Sequence, residues 1–200
     1  MARPTLVLYP GAGSGRDHSS LVAIERRLGR AASVERIDFP YRREGRRAPD
    51  RAPKLMAAIR DDLTAFGRRR GPVVLGGRSM GGRMTSMVAA DVDGAGPVAR
   101  LAGLVLICYP LHPPGRPESL RIEHLTDITV PCLFVSGTKD PFATPEELER
   151  WTATIPAPVE HVWIEGGRHD LTGADDTIAA AVADFLDRRA VPGTASPVAR

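Results

Sequence analysis

Short apolar runs alternate along this chain with stretches in which apolar residues recur at helical spacing. The runs are rich in Val, Leu and Ile, a composition that predicts parallel strands buried on both faces. Strands are predicted at residues 5–9, 34–39, 73–75, 101–108, 130–136 and 159–164. Helices are predicted at residues 19–30, 54–69, 80–90, 145–154 and 177–188.

Strand and helix therefore alternate from one end of the chain to the other. This order favours an α/β fold with a doubly wound, mainly parallel sheet of about six strands. The 200 residues suit one domain, which we expect at 1–189, followed by a disordered tail at 190–200. About 20 residues separate the fourth strand from the fifth, too few for a lid domain.

Composition narrows the class of protein further. Hydrophobic residues make up 42% and charged residues 26%, which is typical of globular proteins and excludes disordered and collagen-like chains. We expect no membrane span, because no apolar run approaches about 18 residues. We expect a cytoplasmic protein, because the first residues lack the pattern of a signal peptide.

Cys108 and Cys132 lie in predicted strands and should be buried, reduced thiols. They have neither the spacing nor the neighbouring histidines of a metal site.

Basic residues number 27 against 24 acidic ones, a formal net charge of +3, and they are densest at 42–51. One interpretation of this segment is a nucleic-acid patch. Apart from Tyr41, it lacks interleaved aromatic residues, and no nucleic-acid-reading module is present, so a solvated loop is favoured and no nucleic-acid partner is expected. A third interpretation, that one or two of these arginines contact an anionic substrate, stays open.

The turn after the third strand carries the motif G-x-S-x-G at 77–81, centred on Ser79. In such a turn the serine occupies a tight strand-to-helix junction with strained backbone, which exposes its hydroxyl. Side chains two residues before and after the serine would collide, so both positions need glycine. The motif therefore predicts that Ser79 is a nucleophile.

A serine nucleophile needs an acid and a histidine, which follow it in the chain in that order. Asp140 follows the fifth strand and His169 the sixth, both in polar, Gly-rich turns. We expect His169 to act as general base and Asp140 to orient its ring. Asp170 and Glu165 are competing acids, but Asp170 adjoins His169 and Glu165 precedes it in the strand.

The loop after the first strand offers glycines that let a backbone approach a substrate closely. We expect the amides of Ala12, in this loop, and of Met80 to form an oxyanion hole. The same loop, with Asp38 after the next strand, resembles half of a dinucleotide-binding motif, which would indicate an oxidoreductase. Its third glycine falls one place early, however, and this alternative leaves Ser79 without a role.

Without a lid, the site should be open and shallow and should suit a small or exposed ester. The candidates for its walls are loop residues that follow strands: Tyr41, Tyr109, His112 and Phe142. For His112, contact with the substrate and capping of its Pro-rich loop are equally supported.

Several of these segments together resemble a known family. They are Y-P-G-A-G at 9–13, G-G-R-S-M-G at 76–81, I-C-Y-P-L-H at 107–112, F-V-S-G at 134–137 with Asp140, and W-I-E at 163–165 with His169. The chain resembles the small α/β-hydrolase-like proteins of the dienelactone-hydrolase superfamily. The similar branch holds the testis-expressed hydrolase-like proteins and a subunit of the NSL acetyltransferase complex.

This resemblance implies an α/β-hydrolase fold, a Ser79–Asp140–His169 triad and no metal or cofactor. The sequence departs from the family at two positions. Dienelactone hydrolases proper carry cysteine in place of Ser79, and many relatives carry histidine in place of Pro10. We therefore expect a serine hydrolase that acts on a small carboxylic ester. The alternative is a catalytically silent scaffold, because fold does not by itself imply turnover.

Overall fold

The computed structural model describes residues 3–66 and 71–190. Within them, six parallel strands form one sheet in the order β2-β1-β3-β4-β5-β6. The strands are β1 Thr5–Tyr9, β2 Ser33–Arg36, β3 Val73–Arg78, β4 Leu101–Ile107, β5 Cys132–Gly137 and β6 Val159–Ile164. The helices are α1 Ser19–Leu28, α2 Pro40–Arg43, α3 Ala52–Ala65, α4 Met80–Ala89, α5 Pro145–Thr152 and α6 Asp175–Ala190.

Helices cover both faces of the sheet, as the continuous apolar strands require. Side chains alternate between faces along a strand, so Val7 of β1 enters one core layer while its neighbours Leu6 and Leu8 enter the other. The layer with Val7 includes buried residues of α3, α4 and α5, and the opposite layer includes those of α1 and α6. The expected doubly wound α/β fold is confirmed.

The connection from β4 to β5 covers residues 108–131 and is irregular. It holds one 3-10 turn, Leu125–Asp127, within an otherwise non-helical segment. None of the helices in the described ranges is long and apolar enough to cross a membrane. Cys108 and Cys132 are buried, free thiols, as expected.

Several boundaries differ from the sequence prediction, and those of β3 and β2 have a clear local cause. The third strand runs on through Gly76 and Gly77, where a side chain on Gly76 would lie 2.4 Å from the carbonyl oxygen of Val105. The second strand ends early, at Arg36, because Phe39 leaves the sheet and Pro40 starts the short helix α2 in the segment expected to be a loop. Two glycines thus allow β3 to continue, and a proline ends β2 early. The apolar pattern alone predicts neither boundary.

Two further predictions, for the helix at 54–69 and for the C-terminal tail, fall partly outside the described residues. The helix expected at 54–69 begins earlier, with Ala52 and Pro53 in its first turn, and ends at Ala65, and residues 67–70 lie outside the described part of the chain. The last helix extends to Ala190, and the rest of the predicted tail, 191–200, also lies outside it.

A polar network is buried where α4 meets the β4–β5 connection. The Ser86 hydroxyl donates to the carbonyl oxygen of Arg83 at 2.8 Å and accepts from Nε2 of His124, also at 2.8 Å. The Tyr109 hydroxyl lies 3.3 Å from the same nitrogen. Burial, followed by the nearby charge of Arg83, lowers the pKa of His124 from 6.5 to about 4. His124 is therefore neutral in the folded protein at pH 7.

This network predicts a loss of stability in mild acid. Between pH 6.5 and 4 the unfolded chain binds a proton at His124 that the folded chain does not. The free energy of unfolding is therefore highest above pH 6.5 and falls as the pH drops, by at most about 3 kcal/mol from this residue. Urea unfolding, followed by the fluorescence of Trp151 and Trp163, measures the change. His124→Gln should show a smaller fall between pH 7 and 5; an equal fall would contradict the assignment.

Candidate active site

The order of the strands creates a crevice at one edge of the sheet. The chain leaves β1 for β2 at one side and then returns to β3 on the other side of β1. Loops that follow β1 and β3 therefore diverge, and ligands of open α/β sheets bind at the carboxyl ends of strands where the order reverses. Ser79 directly follows β3, and the loop 10–13 directly follows β1.

Ser79 occupies a strained backbone conformation at the junction of β3 and α4, with φ 49° and ψ −116°. Glycines make this turn possible. A side chain on Gly81 would lie 2.3 Å from the carbonyl oxygen of Tyr9, and one on Gly77 would lie 2.4 Å from the same atom and 2.7 Å from the backbone of Gly81. The expected collision at both positions is present, and most of it is with the end of β1.

The structure brings Ser79, His169 and Asp140 into one hydrogen-bonded chain. Nε2 of His169 lies 2.9 Å from the Ser79 hydroxyl, and Nδ1 lies 2.8 Å and 3.0 Å from the two carboxylate oxygens of Asp140. The Asp140 side chain is fully buried, whereas 23% of the His169 side chain is exposed. With Nδ1–H donating to Asp140, Nε2 is free to accept the hydroxyl proton of Ser79.

The loops that carry Asp140 and His169 lock together through backbone contacts. A side chain on Gly137 would lie 2.1 Å from the carbonyl oxygen of Gly167, which in turn accepts a hydrogen bond from the amide of Lys139 at 2.8 Å. The competing acids face elsewhere. The Asp170 carboxylate accepts from the hydroxyl of Thr172. The Glu165 carboxylate accepts from the hydroxyl of Thr138.

Two backbone amides are available beside Ser79. In the described part of the chain, neither the amide of Ala12 nor that of Met80 donates a hydrogen bond. Gly11 brings the first loop against the serine, since a side chain on Gly11 would lie 3.5 Å from Cβ of Ser79. Met80 is the first residue of α4, whose N-terminus favours negative charge. The two amides suit an oxygen that becomes anionic.

Two of the four wall candidates lie in the core instead. Tyr41 is fully buried, and its hydroxyl donates to the carbonyl oxygen of Ala12 at 3.0 Å. Tyr109 is 1% exposed and contacts His124. Both rings turn inward because they fill the apolar layer beneath the loops. Neither lines an open site, and Tyr41 supports the first loop from below.

The other two candidates differ from each other. The Phe142 ring is partly exposed and stacks on His169, with 4.0 Å between ring centroids. His112 is 5% exposed, and its nitrogens contact the carbonyl oxygen of Pro113 and the carboxylate of Glu147. Of the two roles left open for His112, the structure shows the capping one.

An open depression of about 410 Å³ lies beside His169. It is lined by Lys139, Pro141, Arg168, His169 and Asp170.

The residues that suggested a nucleotide or anion site, Asp38 and the basic segment 42–51, bond to other parts of the protein. Asp38, the acid of the dinucleotide-like pattern, accepts from the backbone amide of Arg16 at 2.7 Å. In the basic segment 42–51, the guanidinium of Arg46 pairs with Glu44 and with Asp50. Part of this segment therefore neutralises itself.

Arg78 is a site residue that the sequence reasoning missed. It is 5% exposed, and its guanidinium donates through Nη2 to the backbone carbonyl of His169. Its other terminal nitrogen, Nη1, is buried without a partner in the described ranges. A charged residue at the end of a buried apolar strand is the signal that would have revealed it. Arg78 ties the serine turn to the loop that carries the histidine.

Cys108 corrects the expectation that neither cysteine has a histidine nearby. Its sulfur, a nitrogen of His169 and a carboxylate oxygen of Asp140 lie within 4.8 Å of one another. Both ring nitrogens of His169 already have hydrogen-bond partners. Burial raises the pKa of the Cys108 thiol to about 12, with Arg78 the main opposing influence. A neutral thiol therefore packs beside the Asp140–His169 pair.

Comparison with known proteins supports this fold. A family model described as an alpha/beta hydrolase domain matches residues 2–185. The structure of Est1E from Butyrivibrio proteoclasticus with bound ferulic acid has a TM-score of 0.77 at 16% identity, and the match covers 94% of this chain and 90% of that one.

Two other solved structures are similar. The RedJ thioesterase of the prodiginine pathway in Streptomyces coelicolor has a TM-score of 0.68 at 20% identity, covering 92% of this chain and 85% of its own. A monoacylglycerol lipase from Paleococcus ferrophilus has a TM-score of 0.72 at 15% identity, with 94% and 97% covered. At these identities the likeness shows the shared fold.

The glycine contacts predict a sharp difference between two alanine substitutions. Gly81→Ala places a methyl group 2.3 Å from the carbonyl oxygen of Tyr9, so it should lower the free energy of unfolding by about 3 kcal/mol or more. Gly13→Ala is the matched control, since nothing lies within 4 Å of its added carbon, and it should change stability by about 0.5 kcal/mol or less. Urea unfolding of both variants measures this; equal stability would show that the turn yields to a side chain.

Proposed function

This chain belongs to the family of alpha/beta hydrolase domains, and we propose that it is a serine hydrolase that transfers the acyl group of a small carboxylic ester to water. The observation that carries the proposal is the hydrogen-bonded chain from Asp140 through His169 to Ser79, on a strained turn beside two free amides. Such a chain activates a serine hydroxyl at neutral pH.

In the proposed reaction the Ser79 oxygen attacks the ester carbonyl carbon while its proton passes to Nε2 of His169. Asp140 stabilises the imidazolium through Nδ1–H. The amides of Ala12 and Met80 donate to the carbonyl oxygen as it becomes an oxyanion. His169 then protonates the leaving alcohol, and the C–O bond breaks to give an acyl-enzyme. A water molecule, deprotonated by His169, releases the acid and restores the Ser79 hydroxyl.

A small or exposed ester fits this site best. The β4–β5 connection contributes a single 3-10 turn, and the depression beside His169 is open. Phe142, stacked on His169, supplies apolar surface for the acyl or alcohol group. A thioester fits the same mechanism, since the leaving thiolate needs less help from an acid.

We propose that the chain falls in the branch of the dienelactone-hydrolase superfamily that its motifs resemble, as one catalytic domain spanning 1–189 and working in the cytoplasm. We propose a small-molecule substrate rather than a nucleic acid or a membrane as its partner. The motifs at 76–81 and 107–112 support this placement.

Labelling with a fluorophosphonate tests the nucleophile. The protein should gain the mass of one adduct, and Ser79→Ala should gain none, because Oγ of Ser79 is the hydroxyl that contacts His169. Ser14→Ala is the matched control: its hydroxyl is bonded to Gly11 in the same crevice, and it should label like the wild type. Ester hydrolysis should fall by about 10⁴-fold or more in Ser79→Ala.

Each result of that experiment decides something. Activity retained in Ser79→Ala would falsify the assignment of the nucleophile. A folded wild type that neither labels nor hydrolyses any ester would favour the alternative function, a catalytically silent scaffold.

Tyr41→Phe tests the support of the oxyanion hole. It removes the hydrogen bond to the carbonyl of Ala12, so kcat for an ester should fall by about two- to tenfold while KM changes little. Tyr9→Phe is the matched control, because the Tyr9 hydroxyl bonds to Asp62 instead, and its kcat should stay at the wild-type value. Equal effects of the two substitutions would show that Tyr41 matters only for packing.

A further inference from the structure

Two arginines near Ser79, Arg83 of α4 and Arg121 of the β4–β5 connection, have no acidic partner. Within residues 3–66 and 71–190, no carboxylate lies within ion-pair distance of either guanidinium. Both side chains are partly buried, and Nε of Arg83 is fully buried without a hydrogen-bond acceptor. A guanidinium removed from water in this way lacks the anion that would normally compensate it.

Other partly buried arginines of this protein do have such partners. They are Arg36 with Asp17 and Glu25, Arg46 with Glu44 and Asp50, and Arg60 with Asp91 and Asp93. In the described residues, Arg83 and Arg121 therefore differ from these three arginines, and they share the lack of a carboxylate partner with Arg42 and with Arg78, which donates to the backbone carbonyl of His169 instead.

The two arginines border the same buried network. The carbonyl of Arg83 accepts from the Ser86 hydroxyl, which contacts His124. The Tyr109 hydroxyl contacts His124 and lies 3.5 Å from the carbonyl oxygen of Arg121. Burial, followed by the charge of Arg83, lowers the pKa of Arg121. Two like charges thus border one buried network and repel each other, and an anion bound between them would reduce that repulsion.

Backbone hydrogen bonds also connect both arginines to elements of the Ser79 site. The amide of Arg83 donates to the carbonyl of Ser79 at 3.0 Å, so Arg83 is one helical turn from the serine. Side chains on a helix lean toward its N-terminus, which at α4 is the serine turn. Arg121 is joined to the opposite rim, because its amide donates to the carbonyl of Leu111 and the amide of His112 donates to the carbonyl of Phe142, whose ring stacks on His169.

We propose that Arg83 and Arg121 form an anion subsite that holds a carboxylate or phosphate group on the ester substrate of Ser79. The proposal rests on the proposed function of this site and names its substrate class, an ester with an anionic substituent. Two guanidinium groups match the paired oxygens of such a group by geometry as well as charge. The anion would also give the buried Nε of Arg83 its missing acceptor.

Matched pairs of esters test the subsite. Monoethyl adipate and ethyl hexanoate differ by a carboxylate on the acyl side, and 1-butyrylglycerol 3-phosphate and 1-butyrylglycerol differ by a phosphate on the alcohol side. Hydrolysis is followed by proton release in a pH-stat. The wild type should prefer the anionic member of one pair by about tenfold or more in kcat/KM. The pair that shows the preference identifies the side of the ester that carries the anion.

Substitution of each arginine locates the preference. Arg83→Met and Arg121→Met should each lower the ratio of kcat/KM for the anionic ester to that for the neutral one by about tenfold. Arg83→Lys and Arg121→Lys keep the charge but lose the planar set of N–H donors that can bind two oxygens at once. They should therefore lower the ratio less. Arg116→Met is the matched control: Arg116 is an exposed arginine of the same connection, and the ratio should not change.

A binding measurement separates this proposal from the proposed function. In Ser79→Ala, adipate or inorganic phosphate should bind by calorimetry, and adding Arg83→Met or Arg121→Met should abolish binding. If the wild type hydrolyses neutral esters but shows no anionic preference, and Ser79→Ala binds neither anion, the subsite is refuted and the hydrolase stands. If no ester is hydrolysed but the anions bind through both arginines, the proposed hydrolase activity is refuted and the anion subsite is supported.

Discussion

A backbone-on-backbone contact between the serine turn and the end of β1 sets the geometry of the whole site. Gly77 and Gly81 both press against the carbonyl of Tyr9, with no room for a carbon atom at either position. This contact holds Ser79 at φ 49° and brings the loop after β1 against it, so nucleophile and amides share one crevice. Strain at the turn persists because the surrounding sheet and α4 over-determine it.

The remaining parts of the site reach this turn because the sheet is parallel. Asp140 and His169 follow β5 and β6, whose carboxyl ends lie at the same edge as that of β3. Their two loops then interlock through Gly137 and Gly167, and His169 contacts both Asp140 and Ser79 from this position. Close backbone contacts between these loops hold the constellation, as precise catalytic geometry requires.

A guanidinium lies beside this constellation without pairing with its acid. Arg78 donates to the backbone of His169, not to the carboxylate of Asp140, and the thiol of Cys108 beside the pair is neutral. The Asp140 carboxylate is therefore left to pair with the ring of His169, where the imidazolium forms when Ser79 attacks. Arg83 lies one helical turn from Ser79 and Arg121 lies on the β4–β5 connection, and the proposed anion subsite depends on the positive charge of both.

The sequence alone determined the alternation of strands and helices, the serine turn and the order of Ser79, Asp140 and His169. Each of these follows from local chemistry: apolar periodicity, the steric need for glycine, and the position of polar turns after strands. Tertiary structure alone decided that Tyr41 faces the core and supports Ala12, that Cys108 lies beside His169, and that Arg83 and Arg121 share one network. Those relations join residues distant in the chain, so they depend on strand order and packing depth, which no local pattern encodes.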